Sequence, residues 1–234
     1  MAAAAENIDS LRDRYSRVRG RSLDLAADLR PEDTVVQSMP DVSPTKWHLA
    51  HVTWFFERFV LEPCGQARFN DEYHYLFNSY YNSVGEMHPR PKRGEITRPT
   101  LDEVLDYRAH VDAAMTSLLD AGGLRDELTG VLELGLQHEQ QHQELLLTDI
   151  KHVLAQNPLR PAAKLDLHAP PSVDPPALEF IEGDTGIVQV GHDGDGFCFD
   201  NETPRHEALL HPHAIANRLV TNGEFREFIL AGGY

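Results

Sequence analysis

His138-Glu139-Gln140-Gln141-His142 places two imidazoles four residues apart inside a long helical pattern. On a helix, positions i and i+4 lie one above the other, so both rings face the same way. That is how a chain offers two nitrogen ligands to one metal ion. The stripe carrying them runs Val131, Leu134, His138, His142, Leu145, Asp149, mostly apolar at helical spacing, and is expected to face a core between helices. Two histidines four apart also occur by chance on a solvated face. The flanking apolar residues argue against that here, and a metal site requires a third ligand.

The third ligand is sought in Ser43-Pro44-Thr45-Lys46-Trp47-His48-Leu49-Ala50-His51-Val52-Thr53-Trp54-Phe55-Phe56. Ser43 suits an N-cap and Pro44 a first helical position, and the helix is expected to run to about Leu61 before Pro63 and Gly65. His51 lies on the stripe Trp47, His51, Trp54, Phe55, Arg58, and His48 on the neighbouring one with Val52, Phe55 and Phe59. Either could be a core histidine. His51, central among the aromatics, is the expected ligand, and His48 a residue standing behind the ligands or packing against them. In a zinc hydrolase, the alternative chemistry of H-E-x-x-H, Glu139 would be the general base. The downstream histidines His152, His168 and His192 are poorly placed to complete such a site.

These residues need helices to position them. The pattern predicts four, at roughly Glu6 to Leu29, Ser43 to Leu61, Thr100 to Leu119 with Thr100 as N-cap, and Arg125 to Gln156. Inward ligands on facing members fit a four-helix bundle with a metal site in its core. The connection from Gly65 to Pro99 is too long for a bundle turn, and connections of that length are often functional. Its tyrosines either cover the bundle end, or Tyr80 and Tyr81 stand over the metal as phenolic acids with Arg90 and Arg93 as a carboxylate clamp. A linker at residues 157–177 holds Pro158, Pro161, Pro170, Pro171, Pro175 and Pro176 and is expected to be extended. Beyond it, in 178–234, short strands at Leu178–Ile181 and Gly186–Gly191 and a helix from Thr221 to Leu230 are expected. So short a mixed segment does not close a good core unaided.

With 234 residues, 41% of them hydrophobic, one large or two small domains are possible. The formal net charge is −16, which argues against nucleic acid as a partner, since phosphate binding wants basic patches. Cys64 and Cys198 form no C-x-x-C pair, so a reducing, cytoplasmic setting is expected. The N-terminus lacks the basic and apolar regions of a signal peptide, and no apolar segment has membrane-spanning length.

Ser43-Pro44-Thr45-Lys46-Trp47-His48-Leu49-Ala50-His51 together with His138-Glu139-Gln140-Gln141-His142-Gln143-Glu144 resembles the sulfoxide synthases of ergothioneine biosynthesis, the hercynine oxygenases. Phe199-Asp200-Asn201-Glu202-Thr203-Pro204-Arg205-His206 and Val220-Thr221-Asn222-Gly223-Glu224-Phe225 look like the start of the formylglycine-generating-enzyme (C-type-lectin-like) domain of that family. The resemblance covers nearly the whole chain. It implies an α plus α+β architecture, with a DinB-like four-helix metal-binding domain at 1–156 and a lectin-like domain, cut short, at 178–234. It also implies iron(II) on His51, His138 and His142, and O2-dependent joining of a thiol to the imidazole C2 of hercynine.

On the same resemblance Gln141 would hold the substrate imidazole. Asn78-Ser79-Tyr80-Tyr81-Asn82 looks like the version of the family that takes cysteine rather than γ-glutamylcysteine, with Tyr80 and Tyr81 as proton donors and Arg90 and Arg93 binding the thiol's carboxylate. The family continues past Gly232-Gly233-Tyr234, so turnover by this chain alone is left open. Besides the zinc hydrolase, the rivals are a DinB-like thiol-dependent transferase and a non-catalytic metal- or protein-binding remnant.

Overall fold

A computed structural model describes residues 2–79, 85–164 and 173–233, with side chains of the first helix described from Leu11 onward. The chain divides into two units, Met1–Leu167 and His168–Tyr234.

The first unit is a bundle of four long helices: α1 (Ala2–Ala26), α2 (Thr45–Phe56), α4 (Leu101–Asp120) and α5 (Thr129–Gln156). A short helix, α3 (Tyr73–Phe77), and a 3-10 segment, Arg90–Glu95, lie in the long connection, where the sequence pattern shows only loop. A five-residue helix is too short to reveal a 3.6-residue period. Every residue of α2 is buried, so it is the central helix, flanked by α4 and α5, and α1 closes the bundle against both. Trp54, Phe56, Val104, Tyr107, Val111, Leu132 and Leu136 form the middle of the core. α5 passes close to α2 at Gly135, where an added Cβ would meet Phe56 at 2.6 Å.

Local signals account for the helix ends. Thr100 caps α4 with a capping box: its hydroxyl accepts from the Glu103 N–H, and the Glu103 carboxylate accepts from the Thr100 N–H. The expected cap at Ser43 is not formed. Pro44 occupies the cap position, and Ser43 turns its hydroxyl to Arg93 and its N–H to Asp149. α2 runs on into a π-helical turn, Glu57–Leu61, the kind of local bulge often found beside functional sites.

A polar network crosses the core. The Glu139 carboxylate accepts from Arg19 Nη1 (2.9 Å), Arg108 Nη2 (2.6 Å) and Ser22 Oγ (2.6 Å). Arg19 also donates to Asp112 and to Thr53 Oγ1, so all four long helices are tied through Glu139 and Arg19 together. Burial alone would raise the Glu139 pKa; the two guanidiniums outweigh it and hold the group at about 2. The network also puts polar residues on the inward face of α1. On α1 the buried positions are Leu11, Tyr15, Arg19, Ser22 and Leu25, while Leu23 is exposed.

In the second unit β1 (Phe180–Glu182) pairs antiparallel with β4 (Ala214–Ala216), and β2 (Gly186–Val190) with β3 (His206–Leu210). Then comes α6 (Asn222–Leu230), capped by Thr221 and Glu224 in a second capping box. Among the described residues from Val173 onward, none is buried.

Candidate metal centre

α5 carries His138 and His142 one turn apart, and α2 presents His51 across from them. One ring nitrogen from each of the three lies within 4.8 Å of the others. This is the one such cluster among the described residues. The His51 and His138 Nε2 atoms are 3.2 Å apart. Nitrogens sharing one first-row ion, at ~2.0–2.1 Å from it, lie roughly 3 Å from each other, so the spacing fits a shared ion. The expected stripe needs correction, however. Leu134 and Leu145 are exposed, and α5 buries the adjacent face through Leu132, Gly135, Leu136, Glu139, Leu146 and Ile150. The two histidines therefore stand at the edge of the core and line a cavity of about 290 Å³ rather than filling the bundle centre.

Each ring's orientation has a local cause. His51 Nδ1–H donates to the Phe77 carbonyl at 2.6 Å, which leaves Nε2 bare in the neutral ring. Its ring stacks on Trp47, with centroids 4.6 Å apart and 13° between planes, and lies nearly parallel to Trp54. His142 Nδ1 is 2.8 Å from His48 Nδ1, so Nε2 is its available ligand atom. His138 Nδ1 is buried and has no hydrogen-bond partner among the described residues.

Burial is the first cause lowering all three pKa values. His138 is pushed down to about 4, and His51 and His142 lie well below the ordinary imidazole value, each further depressed by its histidine neighbours. Rings kept neutral with converging lone pairs are what a divalent ion requires.

The cavity wall adds cations and amides. Arg93 is buried, with its guanidinium 3.4 Å from the Trp47 ring centroid, and donates to Ser43 Oγ and Ser79 Oγ, both at 2.9 Å. Arg90 is exposed at the rim and donates to the Asp41 carbonyl. Gln141, also exposed, lines the cavity beside the histidines. Tyr80 and Tyr81 lie outside the described residues; they come directly after Ser79, which lines the cavity.

Glu139 cannot serve as the base of a zinc hydrolase. It has no exposed surface and is committed to Arg19, Arg108 and Ser22, on the α5 face away from the cavity. Asp149 and Ser43, to which the sequence pattern gives no part in the site, belong to the cavity wall. The signal for Asp149 is its place two turns after His142 on the same stripe.

No helix among the described residues is long and apolar enough to cross a membrane. The chain is 26% identical, across 97% of its length, to a protein named hercynine oxygenase from Mycolicibacterium smegmatis. It is 27% identical over 222 residues to the hercynine oxygenase of Mycobacterium tuberculosis. It covers 51% and 50% of these two proteins, so it spans about half the length of the curated relatives it matches. The DinB superfamily model matches residues 14–146, more than half of the chain. That stretch holds α2, α4, the second half of α1, the greater part of α5 and all three converging histidines, so fold and match agree: the chain belongs to the DinB superfamily.

Proposed function

We propose that this chain is the metal-bearing part of a sulfoxide synthase of the hercynine oxygenase kind, with iron(II) on His51, His138 and His142. The observation that carries the reading is the convergence of three neutral imidazoles beside a cation-lined cavity, in a chain similar along its length to proteins named hercynine oxygenase. The overall reaction is a thiol plus the C2–H of hercynine plus O2, giving the C–S-bonded sulfoxide and water. The chemistry supplied by bound iron(II) is Lewis acidity toward a thiolate and one-electron reduction of O2.

The chain's own residues bind and orient. Three neutral ligands leave the ion's charge uncompensated, which favours an anionic sulfur in the site. Arg90 at the rim takes the thiol's carboxylate, and buried Arg93 adds fixed positive charge behind it. The Ser43 and Ser79 hydroxyls and the Trp47 face prevent Arg93 from swinging away. Gln141 offers its amide to the hercynine imidazole. Tyr80 and Tyr81 supply protons, and cysteine is the thiol favoured over γ-glutamylcysteine. The second unit is lectin-like and of the formylglycine-generating type. The setting is cytoplasmic, a reading supported by two free cysteines.

The test is oxygen uptake by the iron-loaded protein. Uptake requiring both hercynine and cysteine, with a sulfoxide product by mass spectrometry, is the expected result. Uptake that needs the thiol alone and is indifferent to hercynine would overturn the reading in favour of simple thiol oxidation, whereas a DinB-like thiol-dependent transferase, which shares the bundle and the histidines, would take up no oxygen.

A further inference from the structure

We propose that His48 and Asp149 act as a positioning pair that fixes which nitrogen His142 offers to the metal. The proposal rests on the three-histidine metal reading and extends it to two residues that the reading does not use. His48 sits on α2 and reaches across to two positions on α5 that stand about two turns apart, His142 and Asp149. Its Nε2 is 2.9 Å from Asp149 Oδ2, and its Nδ1 is 2.8 Å from His142 Nδ1. The same Asp149 oxygen accepts the Ser43 N–H at 2.8 Å. All of these groups are buried or nearly so, with His48 at 3% and Asp149 at 8% exposure.

Donor and acceptor types settle where the protons lie. An ionised carboxylate only accepts, so the hydrogen between Asp149 and His48 belongs to His48 Nε2. In the neutral ring His48 Nδ1 is then bare and accepts, which requires His142 Nδ1 to be the donor. His142 Nε2 is left without hydrogen, the form that ligates a metal. The backbone N–H of Ser43 holds the far end of the chain in place, so the polarity of the whole run is set at the start of α2. Carboxylates behind ligating histidines fix tautomer and ring angle in this way, and their loss typically costs roughly 10–100-fold in metal affinity. Here a second imidazole lies between carboxylate and ligand. The three ligands are thereby unequal: His51 is held by a carbonyl, His142 by this pair, and His138 Nδ1 by no described residue.

The test uses the whole chain, stripped of metal and labelled with 15N-histidine. Two-bond proton–nitrogen correlations report the tautomer of His142, and anaerobic iron(II) titration reports affinity. The wild type is expected to show His142 as the Nδ1–H form. H48L should lose that single form and bind iron(II) roughly 10–100-fold more weakly. H48Q, whose amide can accept at Oε1 and donate from Nε2, should restore both. A wild-type His142 found as the Nε2–H form overturns the proposal without any variant. So does an H48L protein that binds iron(II) as tightly as wild type. The H142A control separates the two readings: iron(II) binding that survives H142A sinks the metal assignment itself, whereas loss in H142A with full retention in H48L sinks only the positioning pair.

Discussion

Two capping boxes of the same design open helices in the two units, and the helices they open differ in burial. After Thr100 and Glu103, α4 buries Val104, Tyr107, Val111 and Met115 completely. After Thr221 and Glu224, α6 leaves Phe225, Phe228 and Ile229 nearly half exposed, and no residue of that helix is buried. Strand pairing in the second unit is likewise regular, with Ile187 opposite Leu209 and Ile181 opposite Ile215, yet all four side chains are well exposed. Cap and ladder chemistry is local and can be satisfied without a core. Burial is what gives the helical unit its depressed histidine pKa values and its cavity. The site's chemistry belongs to the unit that has an interior.

The contrast can be broken most severely at Glu139. E139A leaves the Arg19 and Arg108 guanidiniums buried without their shared carboxylate, which should cost about 3–5 kcal/mol. Trp47 and Trp54, the two tryptophans of the chain, both lie in the helical unit, so their fluorescence during urea unfolding reports that unit alone. A midpoint unmoved by E139A would show that the network does not hold the bundle together.

Acid should act in the same place, with a slightly smaller effect through Glu139 alone. The unfolded chain protonates Glu139 near its ordinary 4.5, whereas the folded chain resists until about 2. Stability from this group is therefore fully present above 4.5 and is lost as pH falls toward 2, on the order of 3 kcal/mol in all. His138 works in the same direction at higher pH. Its folded value of about 4 lies below the ordinary 6.5, so stability starts to fall once pH drops under 6.5. Urea midpoints of the metal-free protein, taken at steps from pH 7 to 2.5, should decline across both windows; a flat profile would contradict the burial argument.

The smallest expected effect sharpens the comparison. T100A and T221A each remove one cap, worth about 1 kcal/mol. Only T100A should shift the tryptophan-detected transition. Equal shifts from both would mean that the second unit contributes to the stability of the bundle.

The same physics decides what the sequence discloses. The His138–His142 pair, the aromatic surroundings of His51 and the Thr100 cap are local patterns, and the structure has each where the pattern predicts. The Glu139 network is opaque because its partners stand 31 to 120 residues away and its charges interrupt apolar stripes. The α5 stripe is misread by one face because it is drawn through the two histidines, along Val131, Leu134, His138, His142, Leu145 and Asp149, beside the true inward row of Leu132, Leu136, Glu139, Leu146 and Ile150 that Glu139 interrupts. Ser43 looks like a cap because Ser-Pro usually starts a helix, and only the fold reveals that its hydroxyl and N–H serve Arg93 and Asp149 instead.

Anaerobic iron(II) titration, with X-ray absorption at the iron edge, tests the central assignment most directly. One equivalent per chain with imidazole scattering is expected, and H51A, H138A and H142A should each lose it while keeping helical circular dichroism. Stoichiometric binding with undiminished imidazole scattering in H51A would contradict the account, because it would place the ion away from the junction of α2 and α5.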